Sequence, residues 1–345
     1  MPLAPDIKNP ERCSDSFQAR FESRWAHLTQ PDVRALAWLL DAPDLLDPAS
    51  RLWGGRIASL GPPTPATAVW LMQQERDPAP LLAALGSRPY FRLGLYAEKL
   101  MAFYFEQHGL LLAHGLQVRS GKDGTVGEFD FLLRAGTALL HWEFATKFYL
   151  FDGACDGPGD NALDRLIGPN LADTLGLKMR KIIDLQLALA QHPAAQRLLP
   201  QTVARAQALV KGWLFYPGGV PTGMAGISAA HCHGFWCTLA QVDSVDGDLN
   251  GDLKGDLFLL LPRMQWLAPW KAAAGSDVAL LSRAQLLTTL AARFADGSTS
   301  PPAPVLVACI VAQNGWLLEC RRGFIVPDDW AALAARRRQD GTLPS

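Results

Sequence analysis

The chain has few of the features that stabilise or anchor a protein without a packed core. Its cysteines are scattered: Cys13, Cys155, Cys232, Cys237, Cys309 and Cys320. A chain of 345 residues needs no disulfide framework. No apolar run approaches the roughly 20 residues of a membrane helix, and the N-terminal residues show no apolar signal segment. We therefore expect a cytoplasmic protein with reduced thiols and no membrane contact.

An excess of charge of either sign is also lacking. The chain has 32 Lys and Arg against 33 Asp and Glu, for a formal net charge of −1. Any affinity for nucleic acid must therefore come from local basic patches rather than from the overall field. The hydrophobic fraction of 49% and the mean hydropathy of +0.06 are typical of a globular protein with a substantial core.

The common enzyme motifs GxSxG, Walker A, HExxH and GxGxxG are missing in their required contexts, so no small-molecule cofactor is indicated. One segment, DSVDGDLNGDLKGDLF, partly fits an EF-hand loop through Asp246, Asp248 and Asn250. Its twelfth position should be a bidentate Glu and is Leu257. We interpret the segment as a surface hairpin or loop.

A second segment, HCHGFWC, contains His231, Cys232, His233 and Cys237. Zinc sites usually combine two ligand pairs, and no second pair is evident in the sequence. The alternation of the segment favours a β-strand that buries Trp236 and Cys237 over a zinc site.

What is present divides the chain into three parts. Residues 16–86 contain several short amphipathic runs separated by Pro and Gly clusters, which predicts a helical N-terminal region over residues 1–87. Residues 88–217 form the central part. Residues 218–345 have strand-like and helical segments, which predicts an α/β extension that either continues the central sheet or forms a second layer.

The clearest pattern lies in residues 93–150. Apolar residues first recur at helical spacing, and then GEFDFLL and HWEFATKFYL switch to a period of two, which is the signal of strands. The alternation places Phe129, Phe131 and Leu133 on one face. The helical run LGLKMRKIIDLQLALAQ, the end of another helix and a buried strand at residues 211–216 follow. This order predicts an α/β fold with a mixed sheet flanked by helices.

Acidic residues of two of these strands fall close together if the strands pair antiparallel, because cross-strand partners sit roughly 5 Å apart. Asp130 and Glu143 would then repel each other unless they shared a cation. Mg²⁺ prefers such carboxylate oxygens, and Glu98 on the preceding helix adds a third. In the alternative interpretation these carboxylates are solvated or structurally paired, with Glu98 stabilised by the helix dipole. We interpret His141 as a strand-end polar residue.

The segments LGLYAEKLMAFYF, GEFDFLL and HWEFATK resemble the PD-(D/E)XK nuclease superfamily. More narrowly, the chain is similar to an uncharacterised bacterial family of unknown function placed in that superfamily, a likeness that includes FYPGG and LPRMQWLAPW. The resemblance implies a restriction-endonuclease-like core and hydrolysis of DNA or RNA that depends on Mg²⁺ or Mn²⁺. It implies Asp130 and Glu143 as metal ligands, Glu98 as an auxiliary ligand, and a lysine that positions the attacking water.

The sequence departs from the superfamily pattern at that lysine. The position two residues after the acid is Ala145, whereas Lys147 lies on the same strand face, roughly 7 Å further along the strand. We assign the role to Lys147, with Lys178 or Lys181 as alternatives. The departure also favours the alternative function, a catalytically inactive nuclease-fold protein that binds nucleic acid or a protein partner.

Contacts with nucleic acid are predicted from basic residues near the acidic ones, because phosphates attract Lys and Arg. The helix after the third strand provides Lys178, Arg180 and Lys181, and the first hairpin loop provides Arg119 and Lys122.

Overall fold

The computed structural model describes residues 16–120, 124–153, 162–243, 257–296 and 302–339. Within these residues, ten strands form one mixed β-sheet that is flanked by helices, so the fold class is α/β as predicted. The Asp-rich segment with the partial EF-hand pattern, the hairpin residue Lys122, and Cys13 and Cys155 lie outside the described residues.

The helices are α1 (Phe17–Trp25), α2 (Pro31–Asp41), α3 (Pro65–Arg76), α4 (Ala79–Leu85), α5 (Leu93–Gln107), α6 (Leu175–Lys181), α7 (Pro193–Gln196), α8 (Leu239–Asp243), α9 (Arg283–Ala295) and α10 (Trp330–Gln339). The strands are β1 (Leu111–Arg119), β2 (Thr125–Ala135), β3 (Ala138–Phe151), β4 (Leu166–Ile167), β5 (Val203–Pro217), β6 (Cys232–Thr238), β7 (Leu257–Leu260), β8 (Lys271–Ala273), β9 (Val305–Gln313) and β10 (Trp316–Val326).

The N-terminal helices form because each begins with a suitable cap. Ser16 accepts a hydrogen bond from a first-turn amide of α1, and Thr64 does the same for α3, which has Pro65 at its first position. Helix α2 buries almost its whole length and packs between the sheet side and α5. The described residues before α5 contain the four α-helices α1 to α4, and their buried side chains form one core layer with α5 and the sheet.

The strands follow the order β1-β2-β3-β5-β6-β10-β9-β7, with β4 paired to β3 and β8 paired to β10. The pairs β3–β5, β5–β6 and β6–β10 are parallel, and all the other pairs are antiparallel. Strands from the C-terminal part therefore continue the central sheet, which was the first of the two predicted alternatives. The HCHGFWC segment forms β6, as predicted.

Two predictions about the elements after β3 were wrong in detail. Residues 175–191 are not one regular helix, because α6 passes into a π-helical turn at Ile182–Gln186 and then into 3₁₀ turns at Leu187–Gln191. Residues before 211 are not the end of a helix but the first half of β5, which begins at Val203. The long parallel pairing of β5 with β3 overrides the helix preference of the Ala-rich segment.

The predicted shared face of Phe129, Phe131 and Leu133 was also wrong. Phe131 and Leu133 pack into the core layer that contains α5, whereas Phe129 belongs to a separate cluster with Leu132 and Leu189. The change occurs beside Phe131, the last residue of β2 that pairs with β3. The two side chains therefore enter different clusters on either side of Asp130.

No helix in the described part of the chain is both long and apolar enough to cross a membrane.

Candidate functional site

The candidate site lies where strand β2 separates from β3. The pairing of the two strands runs from Ala135 and Ala138 to Phe131 and Trp142. Strand β3 continues beyond this point and is paired with β5 along its other edge, and β4 covers the near edge again only at Leu150. Across residues 143–149, no described strand pairs with this edge of β3. We call this segment the open edge.

Asp130 bridges the opening from the β2 side. Its carboxylate accepts a hydrogen bond of 2.8 Å from the backbone N–H of Phe144 on β3. Burial raises the pKa of Asp130 to about 8, and the negative charges of Glu143 and, less strongly, Glu98 and Glu128 add to the shift. The bond from Phe144 acts in the opposite direction. Asp130 thus lies within electrostatic range of Glu143, Glu98 and Glu128.

Glu143 is buried and held on both oxygens. Its Oε1 lies 2.7 Å from Nε2 of His141, and its Oε2 accepts a 2.6 Å hydrogen bond from the Gln186 side chain, in the π-helical turn after α6. The interpretation of His141 as a strand-end polar residue was wrong. Its side chain has no exposed surface, and Nδ1 has no hydrogen-bond partner among the described residues. Segments that follow α6 cover β3 here, which the local sequence did not reveal.

Glu98 approaches from the other side, on α5. One of its oxygens lies 2.7 Å from Nε2 of His114 on β1, and both side chains are largely buried. The sequence did not indicate His114 and Gln186 as partners, because they lie 16 and 43 residues along the chain from Glu98 and Glu143. The signal that could have indicated these partners was a polar residue within a largely apolar segment.

The described residues include no group of three or more His, Cys, Asp or Glu side chains already arranged to hold a metal ion. The chemistry of the acidic cluster nevertheless fits a divalent cation. Carboxylate oxygens are the ligands that Mg²⁺ prefers. The raised pKa of Asp130 reflects its burial and then the negative charge of Glu143, and a bound cation would stabilise the charged carboxylate against both. The carboxylates that would hold the ion are those of Asp130 and Glu143, with Glu98 beside them.

Lys147 lies further along the open edge and lines a cavity of about 230 Å³. Burial lowers the pKa of Lys147 to about 8, and the charge of Lys178 on α6 lowers it further, while Asp173 acts in the opposite direction. Asp173 accepts a 2.9 Å hydrogen bond from the Tyr149 hydroxyl and also lines the cavity. Ala145, at the usual lysine position, is buried in an apolar cluster. No motif in the sequence indicated Asp173.

The other side of the cavity is formed by residues from distant elements. They are Leu93 and Gly94 at the start of α5, Asn170, Arg263 and Trp266. The cavity thus has two cationic side chains, three aromatic residues and one carboxylate on its walls. Such a lining can receive a small anionic group.

The predicted basic residues fall on α6, which begins at a Thr174 cap. Lys178 lies close enough to act on Lys147. Arg180 and Lys181 are exposed, and Arg180 forms two hydrogen bonds with Asp164, at 3.0 and 3.2 Å. Arg119 is exposed at the end of β1, where it bonds to Gln117.

The HCHGFWC segment around β6 contributes to no group of metal-ligating side chains among the described residues. Cys232 and Cys237 are buried, and burial raises the pKa of each thiol to about 12. His231 lies 3.0 Å from the hydroxyl of Tyr216 and 2.6 Å from the carbonyl of Ser228. These contacts agree with the predicted buried strand.

Comparison with known proteins gives one family match. Neither a curated protein nor a solved structure matches the chain. The model of a family described as a domain of unknown function, DUF1853, matches residues 34–326. This range includes the sheet, the open edge and the cavity, and covers most of the chain; the protein therefore belongs to the DUF1853 family.

Proposed function

We propose that this protein is a nuclease that depends on Mg²⁺ or Mn²⁺ and hydrolyses phosphodiester bonds of DNA or RNA. One observation supports the proposal: the carboxyl of Asp130 is held at an open strand edge by the backbone N–H of Phe144, where burial and then the charge of Glu143 raise its pKa to about 8. A buried pair of carboxylates without a cation costs stability, which points to a functional site.

The order of elements supports a restriction-endonuclease-like core. A helix, an antiparallel three-stranded meander, a further helix and a strand parallel to the third strand follow one another as α5, β1 to β3, α6 and β5. The acids lie at the separation of the second and third of these strands, as the resemblance to the PD-(D/E)XK superfamily implies.

In this proposal, each residue has a distinct role. Asp130 and Glu143 hold the cation and Glu98 assists them. When bound, the cation supplies Lewis-acid polarisation of the phosphodiester and a lowered pKa for a water molecule. Lys147, whose pKa is about 8, carries a positive charge at neutral pH and orients the water or the phosphate. Lys178 is an additional cation beside it, and Arg180 and Lys181 contact the polymer backbone.

A second candidate is a nuclease-fold protein that binds nucleic acid or a protein partner without cleavage. Two observations favour it. Ala145 is buried where the superfamily has its lysine, and both oxygens of Glu143 are engaged by His141 and Gln186. A cation would have to displace Gln186 or share an oxygen with it.

The first experiment is thermal melting of the wild type and of Asp130→Asn, each with EDTA, Mg²⁺ or Mn²⁺. A ligand that binds only the folded state stabilises it by about 2.7 kcal/mol at a concentration of a hundred times its Kd. We expect stabilisation of the wild type and none of Asp130→Asn. The matched control is Asp277→Asn, since Asp277 is an exposed carboxylate away from the cluster, and this variant should respond as the wild type does.

Cleavage of labelled single-stranded and duplex DNA and RNA separates the two candidates. Metal-dependent cleavage that Asp130→Asn abolishes supports the nuclease. Metal stabilisation without cleavage of any of these polymers supports the inactive binding protein. An equal melting response of wild type and Asp130→Asn to Mg²⁺ contradicts the metal site itself.

A further inference from the structure

The short segment before α5 has an unusual surface. Phe91 is 86% exposed, more than any other large apolar side chain in the described part of the chain. It is flanked by Arg88 and Arg92, which are also exposed. Neither guanidinium forms a hydrogen bond or ion pair with a described residue. Isolated exposed apolar residues are common, but this one lies close to two exposed cations.

The outward direction of Phe91 is fixed by its neighbours. The hydroxyl of Tyr90 donates a 2.7 Å hydrogen bond to the carbonyl of Leu85, and its ring packs 5.6 Å from that of Tyr96 on α5. Because Tyr90 is anchored inward and α5 begins at Leu93, Phe91 is held at the surface by the ordered segment around it. The ring is therefore presented to solvent by a fixed backbone.

This segment also adjoins the cavity of the open edge. Leu93 and Gly94, directly after Arg92, line the same cavity as Lys147 and Arg263. A bound polymer that lies across residues 88–92 thus contacts two arginines and an exposed aromatic ring, and then reaches a cavity with two more cations. Aromatic rings that alternate with cations are the usual means of binding single-stranded nucleic acid, because bases stack on the rings and phosphates contact the cations.

We propose that residues 88–92 form a platform for single-stranded nucleic acid, on which Phe91 stacks against one base while Arg88 and Arg92 contact the adjacent phosphates. A duplex keeps its bases stacked on each other and offers Phe91 no base face, so the platform selects single strands. The inference rests on the proposed nuclease function for the nature of the polymer, and it defines the substrate class of that site.

The test measures fluorescence anisotropy of a labelled oligothymidylate and of a labelled hairpin duplex with the full-length protein in EDTA. Omission of metal keeps the substrate intact and makes binding independent of the metal site. Phe91→Ala should weaken binding of the single strand about five- to a hundredfold. Phe91→Trp retains an aromatic face and should restore it, whereas Phe91→Leu, which is apolar without such a face, should not.

The arginines are tested through salt dependence. Each phosphate contact on a single strand contributes about −0.7 to the slope of log K against log salt. The double variant Arg88→Ala/Arg92→Ala should reduce the slope by about 1.4. Val220→Ala and Arg293→Ala are matched controls, because both residues are exposed and Arg293 lies on α9, which packs on the opposite end of the sheet. Both should bind as the wild type does.

Three results would overturn the platform: no binding of the oligothymidylate, equal affinity for the duplex, or a Phe91→Ala variant that binds like Val220→Ala. The melting experiment with Asp130→Asn decides the metal site separately. Binding that depends on Phe91 in a protein that no metal stabilises would support the platform and contradict the nuclease. Metal-dependent cleavage together with oligothymidylate binding that Phe91→Ala leaves unchanged would support the nuclease and contradict the platform.

Discussion

Two buried charged clusters in the same sheet are built in opposite ways. On β10, Glu319 and Arg322 have no exposed side-chain surface and pair through two hydrogen bonds of 2.6 and 2.8 Å. Glu319 also accepts from the backbone of Trp270, and Arg322 donates to the carbonyls of Trp266 and Ala268. Positive and negative charge are balanced, and the pair attaches the segment before β8 to the sheet.

The open edge has no such balance. Glu98, Asp130 and Glu143 have histidine, amide or backbone partners, and no Lys or Arg forms an ion pair with any of them within the described residues. The raised pKa of Asp130, caused first by burial and then by the charge of Glu143, favours its neutral form. Each charge of the β10 pair therefore has a partner of opposite sign, whereas no described Lys or Arg balances the negative charge at the open edge.

The largest expected effect comes from breaking the balanced cluster. Arg322→Met should lower the free energy of unfolding by about 3–5 kcal/mol, because Glu319 would stay buried without its cation. Urea denaturation measures the change. Adding Glu319→Gln to this variant should recover part of the loss, since the uncompensated charge is removed. A loss below about 1 kcal/mol in the single variant would contradict the contrast between the two clusters.

The reverse change is expected at the open edge. Asp130→Asn should raise the free energy of unfolding by about 2 kcal/mol at pH 8 without divalent cations, since the amide can still accept from Phe144 but carries no charge. The pKa of this acid is raised to about 8 in the folded state. The stabilisation that the carboxyl of Asp130 contributes is therefore fully present below its unfolded-state pKa of about 4, and it is lost as the pH rises through 8.

Denaturation curves from pH 4 to pH 9 in EDTA test this sign. The wild type should lose stability relative to Asp130→Asn as the pH rises, and Asp277→Asn should follow the wild type. A difference between wild type and Asp130→Asn that stays constant with pH would show that the carboxyl does not titrate as the structure implies.

Two lysines on adjacent strands also differ in whether their charge has a partner. Lys211 on β5 bonds to Asp44 and to the carbonyl of Ala42, whereas Lys147 on β3 has no carboxylate within ion-pair distance among the described residues. Lys147→Met should stabilise the protein by about 1–2 kcal/mol at pH 7, because the pKa of Lys147 is lowered to about 8. Lys211→Met should destabilise it by a similar amount, since Asp44 loses its partner.

The pH dependence of Lys147 has the opposite sign to that of Asp130. The unfolded state binds the Lys147 proton more tightly than the folded state does. The destabilisation by the buried charged lysine is therefore fully present below pH 8, and it disappears as the pH rises towards the unfolded-state pKa of about 10.4. The gain from Lys147→Met should therefore shrink in denaturation experiments above pH 8. A gain that grows with pH would exclude this explanation.

The smallest effect is expected at the surface. Arg180→Ala removes exposed hydrogen bonds to Asp164 and should change the free energy of unfolding by less than about 1 kcal/mol. If Arg180 contacts nucleic acid as proposed, the same variant should weaken binding of DNA and RNA of every sequence and reduce its salt dependence. Equal binding by Arg180→Ala and wild type would remove this residue from the proposed surface.

The part of the fold that could be predicted is the part encoded locally. The helix and meander from α5 to β3 follow from a change of period within one continuous stretch, and this also placed Asp130 near Glu143. The start of β5 was predicted as helix because its Ala-rich sequence is locally helical, while its pairing with β3 comes from far along the chain. Tertiary pairing decides such segments.

The partners of the acids could not be predicted for the same reason. Gln186 reaches Glu143 only because a π-helical turn covers β3, and no local pattern marks that contact. His141 appeared to be a polar residue at the end of a strand, and its full burial depends on the same covering segment. The acidic residues themselves were recognised, but what surrounds them required the three-dimensional arrangement.

The parallel pairing of β3 with β5 also sets the order in which the chain can complete its sheet. During synthesis, β1, β2 and β3 can pair as soon as they emerge, but the second edge of β3 must wait until β5 has been made. At translation rates of about 5–20 residues per second, this edge stays unpaired for roughly several seconds. Such an edge attracts other strands, so newly made chains are most exposed to aggregation and to chaperone binding during this interval.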